Sequence, residues 1–314
     1  MIRIQGDDPL PPELHGGVAA LGNFDGFHGG HQAVVGMAQA RARAKTGPSI
    51  VITFDPHPVR LFKPDAPPMT LTTIPQRLDL FERFGLDATV VLSFDRNMAR
   101  LSPKDFIRDV LVERLRLKGI VTGEDFTFGA RAAGTTDDLK RAGAVYEFDA
   151  DAVAAVNGAA GHRISSTRIR AALAKGDMVT AARMLTRPFT IRGEVEHGAK
   201  LGRTLGTPTA NLRLHQYARP LYGVYAVRGH LPDGKIVDGV ANLGIRPMIE
   251  PPAELLESWF FDWSGDLYGK TIDVELIAWL REERKLDGLD ALKAQIKRDA
   301  EAARAALDQG ARRR

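Results

Sequence analysis

The chain has 314 residues, 44% of them hydrophobic and 26% charged, with a net charge of +4 from 43 basic and 39 acidic side chains. That is apolar material for two cores, and the near balance of charge gives no argument for a nucleic-acid partner. With no cysteine, disulfides, thiolate catalysis and cysteine-ligated metal or iron–sulfur sites are excluded. No stretch is apolar and long enough to span a bilayer, and the first residues hold aspartates and prolines where a signal peptide has an apolar core, so a cytoplasmic protein without membrane contact is expected.

"GVAAL" (17–21) reads as a short buried strand, followed by "GNFDGFHGGHQAVV" (22–35) and a helix pattern over 31–45 that Gly47-Pro48 closes. "SIVITF" (49–54) is a β-branched strand. "PQRLDLFERFG" (75–85) is an amphipathic helix with Leu78, Phe81 and Phe84 on one face. "ATVVLSF" (88–94) is a strand again, and Ser102 caps a helix with Pro103 at its first position. "KGIVTG" (118–123), "TTDDLKRAG" (135–143) and "AVYEF" (144–148) read as strand, helix and strand. This alternation predicts an α/β domain with a parallel sheet, whose ligands bind beyond the carboxyl ends of its strands.

After "RPF" (187–189) strands dominate: "FTIRGEVEHG", "TANLRL", "GVYAVRGHL", "KIVDGVANLG", "ELLESWFFDW" and "TIDVELIAWL". Six strands without intervening helices predict a small antiparallel barrel, and a last helix over 289–307 carries Leu292, Ile296, Ala300 and Ala303 on one face. The boundary is placed near Arg187, giving domains 1–186 and 187–314.

His28 and His31, three apart at a helix start among glycines, suit phosphate. Helix N-termini carry free N–H groups and partial positive charge, and imidazoles can stabilise growing negative charge. A zinc site and a plain glycine turn are the rival readings. "TFDPHP" (53–58) and "GEDFTFG" (123–129) also follow strands. In "RISSTRIR" (163–170) the hydroxyls of Ser165, Ser166 and Thr167 stand between Arg163, Arg168 and Arg170, which serves helix capping or a triphosphate. Four such stretches at strand or helix ends converge on one nucleotide site.

In the second half, His197-Gly198, Gly202-Arg203 and Gly206 form a glycine loop able to wrap phosphates. In Pro208-Thr209-Ala210-Asn211, a hydroxyl and an amide oxygen two residues apart share one face of an extended segment; with ATP phosphates they make a weak cage for Mg²⁺. Glu257 is an acid within an apolar strand, either on a solvated face or, in a kinase, the acceptor of a hydroxyl proton.

The G-x-F-D-G-x-H-x-G-H pattern at 22–31 resembles the nucleotidyltransferase superfamily with the HxGH signature. With "TFDPHP", "GEDFTFG" and "ISSTRIR" it resembles the adenylyltransferase module of bacterial bifunctional riboflavin kinase/FAD synthetases. The stretches "HGAKLGRTLGTPTANL", "GVYAV", "GVANLGIRP", "DLYGK" and "LREERKLDGLDALKAQIKRD" resemble riboflavin kinase in order and spacing. The resemblance implies a Rossmann-like domain and a six-stranded barrel with a terminal helix. It implies phosphorylation of riboflavin to FMN at the barrel, and adenylylation of FMN to FAD, with release of pyrophosphate, at the α/β domain.

Carried onto this sequence, the resemblance implies that ATP binds in the first domain across Gly22, Asn23, Phe24, Asp25, His28 and His31, with Asp125, Arg163, Ser165, Ser166, Thr167 and Arg170 nearby. In the second domain it implies ATP at His197, Gly198, Gly202, Arg203, Gly206 and Pro208, Mg²⁺ on Thr209 and Asn211, and Glu257 as general base. Flavin contacts are implied at Phe54, Pro56, His57, Pro58, Phe126 and Phe128, and at Asn242, Arg246 and Arg281. This chain departs from the family pattern at Asp125, where an amide is common, at Met248-Ile249-Glu250-Pro251-Pro252, at Ser258-Trp259 and at Leu286. A related nucleotidyltransferase with another phosphate-monoester acceptor, and a flavin-binding sensor without turnover, are the alternatives; the oligomeric state is left open.

Overall fold

The computed structural model describes residues 1–159, 161–197, 208–246 and 253–311, the side chains of 310 and 311 excepted. It contains two compact units, Met1–Pro67 with Ile74–Ser165, and Pro68–Thr73 with Ser166–Arg314. Among the described residues, no helix is long and apolar enough to cross a membrane.

The first unit is built on six strands: β1 (Ile2–Gln5), β2 (Val18–Leu21), β3 (Ser49–Asp55), β4 (Ala88–Ser93), β5 (Gly119–Gly123) and β6 (Asp149–Val153). They pair in the order β1-β4-β3-β2-β5-β6, every pair parallel. Its helices are α1 (Gly29–Ala44), α2 (Pro58–Phe62), α3 (Ile74–Arg83), α4 (Pro103–Asp105), which runs on as a π-helix over Phe106–Arg114, and α5 (Thr136–Tyr146). Side chains alternate across a strand, so β2 sends Val18 and Ala20 to one face and Ala19 and Leu21 to the other. The first pair packs with Val35 and Ala38 of α1 and with Leu78 and Phe81 of α3. The second packs with Ile107, Val110 and Leu111 of the π-helix and with Leu139 of α5. Helices on both faces are why these strands read as continuous apolar runs.

Two elements differ from the sequence reading. "AVYEF" is not a strand: α5, begun by a reciprocal Thr135–Asp138 capping box, runs through Ala144, Val145 and Tyr146. It stops where Glu147 takes a left-handed φ of 60° and Phe148 turns back under the helix. A Cβ on Gly143 would lie 2.4 Å from the Phe148 carbonyl oxygen, so a glycine there permits the turn. The strand lies one step later, at β6, whose apolar signal is weak because it pairs only with β5 at a sheet edge. At the opposite edge β1 pairs with β4 and was not anticipated.

The second unit contains α6 (Ser166–Ala174), α7 (Met178–Leu185), β7 (Phe189–Glu194), β8 (Ala210–Arg213), β9 (Gly223–His230), β10 (Ile236–Arg246), β11 (Ala253–Phe260), β12 (Thr271–Arg281) and α8 (Leu289–Ala311). The six strands form one antiparallel sheet in the order β7-β12-β9-β10-β11-β8. It nearly closes into a barrel: Glu196 N donates to Asn211 O at 3.0 Å, just past β7. Cross-strand register aligns Leu212, Leu256 and Leu243, all fully buried. The adjacent row is Asn211, Glu257 and Asn242, and with a period of two it faces the other side.

Helix α8 packs Ala303 and Leu307 against Val224, Ala226, Val240 and Phe261, with Ala300 beside them. Its N-terminal half differs from the expected apolar face. Gln295 and Asp299, four apart, are buried there, while Leu292 and Ile296 are half-exposed. The cause is Arg281 of β12, which donates to both Asp299 carboxylate oxygens at 2.7 Å.

Phe81 is fully buried and touches the rings of Phe24 and Phe27 edge-on. Phe81→Ala is expected to cost the first unit about 3–5 kcal/mol, read as a lower denaturant midpoint for its unfolding transition.

Candidate active sites

In the first unit the chain runs from β2 outward to β3 and β4, then crosses to β5 on the other side of β2, and this reversal opens a crevice at the carboxyl ends. The loop from β2 to α1 lies there. It turns sharply through positive φ at Phe24 (50°), Gly26 (86°) and Phe27 (40°). His28 ends it as the N-cap of α1, its Nδ1 accepting the backbone N–H of His31 at 3.2 Å. The two imidazoles stack with centroids 3.6 Å apart and an interplanar angle of 15°. A Cβ on Gly30 would come within 3.2 Å of His28 Cε1, so a side chain there would press on the stacked ring.

His28 and Asp25 are buried, and Phe24 meets the His31 ring edge-on at 5.3 Å. Burial first, then the neighbouring His28 ring and the Arg77 cation, hold the His31 imidazole well below the ordinary histidine pKa. Its Nδ1 is buried without a hydrogen-bond partner, as is Asn23 Oδ1. Buried polar atoms left unsatisfied in this loop suit an incoming oxyanion or nucleotide edge. Among the described residues no group of three His, Asp or Glu side chains is placed to hold a metal ion.

A cavity of about 780 Å³ opens beside this loop. The predicted residues Asn23, Phe54, Pro58, Phe126 and Phe128 line it, bringing together the ends of β2, β3 and β5. Pro56 and His57 are not among its lining residues; His57 caps α2 by accepting Val59 N–H. Phe62, Phe94, Met98 and Phe106 complete the apolar wall and Arg100 and Arg131 add charge; sequence patterning had marked none of these six. Flat aromatic walls with a few cations fit a planar ring system carrying a phosphate. Asp125 is exposed and paired with Arg163 at 2.6 Å, so the extra acid has a cation of its own. Ser165 ends the first unit. Ser166 and Thr167 open α6 in the second, where Arg170 Nε donates to Met69 O at 2.6 Å.

In the second unit, Asn211 and Asn242 flank Glu257 on neighbouring strands. Asn211 Oδ1 and Asn242 Oδ1 are buried acceptors without partners. Glu257 Oε2 accepts from Arg246 Nε at 2.9 Å and Nη2 at 2.5 Å. Arg246 Nη1 also reaches Glu283 at 3.0 Å, and Asn242 Nδ2 reaches it at 2.7 Å. Burial works against the Arg246 cation, but hydrogen bonds and charge from Glu257 and Glu283 win and raise its pKa. Glu283, unmarked in the sequence reading, fits because position 244 is glycine; a Cβ there would meet its carboxylate at 2.4 Å.

Thr209 and Pro208 line a second cavity of about 390 Å³ with Val195, Phe260, Trp263 and the loop through Asp266 and Tyr268. His197 stacks on Tyr268 with centroids 3.9 Å apart. Arg281 is engaged by Asp299. Ser258 is buried inside the sheet, and Trp259 packs on Phe261 under α8. Gly198, Gly202, Arg203, Gly206 and the departures at Met248-Ile249-Glu250-Pro251-Pro252 lie outside the described residues.

Two family models match the chain, FAD synthetase over residues 10–168 and riboflavin kinase over residues 185–307. The bifunctional riboflavin kinase/FMN adenylyltransferase of Escherichia coli (strain K12) is 41% identical over 289 residues, covering 92% of each chain. The same-named protein of Pseudomonas fluorescens is 40% identical over 306 residues, covering 97% of each. That of Bacillus subtilis (strain 168) is 37% identical over 301 residues, covering 91% of each. A solved structure from Streptococcus pneumoniae, named a macrolide-efflux protein, superposes with a TM-score of 0.85 at 32% identity, covering 97% of this chain and 99% of that one.

Gly30→Ala is expected to push the stacked imidazoles apart while changing stability by less than about 1 kcal/mol, since alanine favours the helix. Melting curves and the imidazole C–H proton shifts check both.

Proposed function

Because the chain belongs to the bifunctional riboflavin kinase/FMN adenylyltransferase family, we propose that its two sites divide the two reactions between them. The chain phosphorylates riboflavin to FMN with ATP and adenylylates FMN to FAD with release of pyrophosphate. The first is the work of the riboflavin-kinase half and the second of the FAD-synthetase half. The observation that supports the division is that each half holds its own polar cluster, the stacked His28–His31 pair in one and Glu257 between two asparagines in the other.

In adenylyl transfer, an FMN phosphate oxygen attacks the α-phosphorus of ATP, and the bond to pyrophosphate breaks. The nucleophile is already an anion, so no strong base is needed; alignment and charge neutralisation are. His28 and His31 at the N-terminus of α1 supply hydrogen bonds and partial positive charge to the crowded phosphorus. Gly22, Asn23, Phe24 and Asp25 shape the nucleotide side. Phe54, Pro58, Phe126 and Phe128 hold the flavin ring in the aromatic cavity, its fit supported by their shared lining. Arg163 offsets Asp125 and is available to a phosphate only by leaving that pair.

In the kinase step, the primary hydroxyl of riboflavin loses its proton to Glu257 as its oxygen attacks the γ-phosphorus of ATP, and the bond from that phosphorus to the leaving ADP breaks. Glu257 is engaged by Arg246, so the flavin must take over part of that contact, and Asn242 and Arg246 are then the flavin's polar partners. ATP occupies the cavity beside Pro208, Thr209 and Tyr268. Thr209 and Asn211 fit Mg²⁺, because the orphaned, buried Asn211 Oδ1 is a neutral oxygen donor of the kind that shares this ion with phosphates. When bound, the ion neutralises charge on the transferring phosphoryl group.

Chromatography of the products made from riboflavin, ATP and Mg²⁺ tests the division. His31→Ala is expected to stop at FMN. Glu257→Ala is expected to lose about 10²–10⁴-fold on riboflavin yet convert supplied FMN to FAD. One substitution abolishing both steps in a folded protein would refute separate sites. Asn211→Ala is expected to raise the Mg²⁺ concentration needed for half-maximal riboflavin phosphorylation and to leave FMN adenylylation at its wild-type rate.

A further inference from the structure

Arg77 sits on α3 with only 4% of its surface exposed, although it belongs to a helix whose sequence reads as simply amphipathic. Its Nη1 donates to the carbonyl oxygen of Asn23 at 2.7 Å and approaches Thr53 Oγ1 at 3.4 Å. The Thr53 hydroxyl donates to that same carbonyl at 3.0 Å. One point of the β2–α1 loop is thus gripped from α3 and from β3 at once. A guanidinium buried this deeply costs far more than one on a surface, and a lysine or glutamine on the outer face would serve an amphipathic helix as well.

The charges around it explain how it is tolerated. Burial pulls the Arg77 pKa down, while Asp25 from the loop and Asp55 from the end of β3 push it up. Its charge also acts on the His31 imidazole. There burial first, then the neighbouring His28, then the Arg77 cation oppose a second positive charge.

We propose that Arg77 is a positioning residue for adenylyl transfer: its buried guanidinium pins the Asn23 carbonyl, and with it the loop that carries His28. The same cation adds to the burial and the His28 neighbour that disfavour a charge on His31. Nucleotide phosphates then supply the negative charge that lets the imidazole take a proton where charge develops, rather than holding one beforehand. The proposal rests on adenylyl transfer in the first half.

The sign is fixed by the electrostatics. Removing a nearby cation raises the His31 pKa, so its protonation, and any activity that needs its neutral form in the free protein, moves to higher pH. The test is a proton NMR titration of the histidine C–H resonances of the full chain, assigned with His31→Ala, in wild type, Arg77→Met and Arg77→Lys. Rates of FMN adenylylation are measured beside it. In Arg77→Met the His31 midpoint is expected to move up yet stay below the ordinary histidine value, because burial and His28 remain, and the acid limb of the adenylylation profile is expected to move with it. Arg77→Lys keeps the charge but not the planar fork, so it is expected to keep the low midpoint and lose about tenfold or more in adenylylation kcat.

Dispersed resonances of the first unit in the same NMR spectra report intact folding of the half that holds Arg77. Should Arg77→Met fail that control, Arg77→Lys decides by its rate. An unmoved His31 midpoint in folded Arg77→Met, or wild-type adenylylation by Arg77→Lys, overturns the proposal. Wild-type adenylylation by His31→Ala would overturn the role given to His31 and the proposal with it, whereas no FAD from FMN and ATP with the wild-type chain would overturn the adenylyl-transfer reading itself.

Discussion

The first site depends on one backbone turn. Between β2 and α1 the chain must leave a fully buried strand and present a helix N-terminus at the sheet's carboxyl edge. It does so with two phenylalanines in the left-handed region, a conformation that costs an ordinary residue roughly 1–2 kcal/mol. Burial of their rings against Phe81 and Phe84 offsets that strain. The same rings set where His28 falls, so that its imidazole caps the helix and stacks on His31. Local strain, core packing and reactive geometry are one arrangement here.

The second site uses strand periodicity instead. Moving one residue along β11, from Leu256 to Glu257, crosses from the fully buried row to the polar row. Asparagines on both neighbouring strands meet that carboxylate, and an arginine two residues past Gly244 on β10 completes its surroundings. An acid in an apolar strand is ambiguous from spacing alone. Its cross-strand partners show a carboxylate between two asparagines and held by an arginine.

Most of the fold was legible because period and punctuation agreed. The parallel strands, the Ser102 cap and all six barrel strands follow from runs, glycines and prolines. Where reading failed, a long-range contact overrode a local one. α5 continues through "AVY" because nothing in that stretch forbids a helix, and the stop is set by Phe148 turning under Gly143. Edge strands β1 and β6 lack strong apolar signals. In the sites, motif residues were visible, but their supports were not. Arg77, Glu283 and Asp299 look like ordinary surface charge, and Phe62, Phe94 and Met98 look like scattered apolar residues, until tertiary structure collects them.

The residues 68–73 have a consequence for how the chain could be divided. Though followed in sequence by α3 of the first unit, they pack in the second, where Met69 N and Thr70 N both donate to Gln216 O and Ala218 N donates to Thr70 O. Helix α7, with Met178, Ala181, Met184 and Leu185 buried, packs on β7 and β12. A fragment starting at the barrel's first strand would bare the surface under α7, and one starting at Ser166 would still lack the donors and acceptors supplied from 68–73. The two activities can be told apart by family, but the polypeptide is threaded. No single cleavage releases two complete modules, and a transplant of the kinase half into another protein would have to carry a loop borrowed from its neighbour.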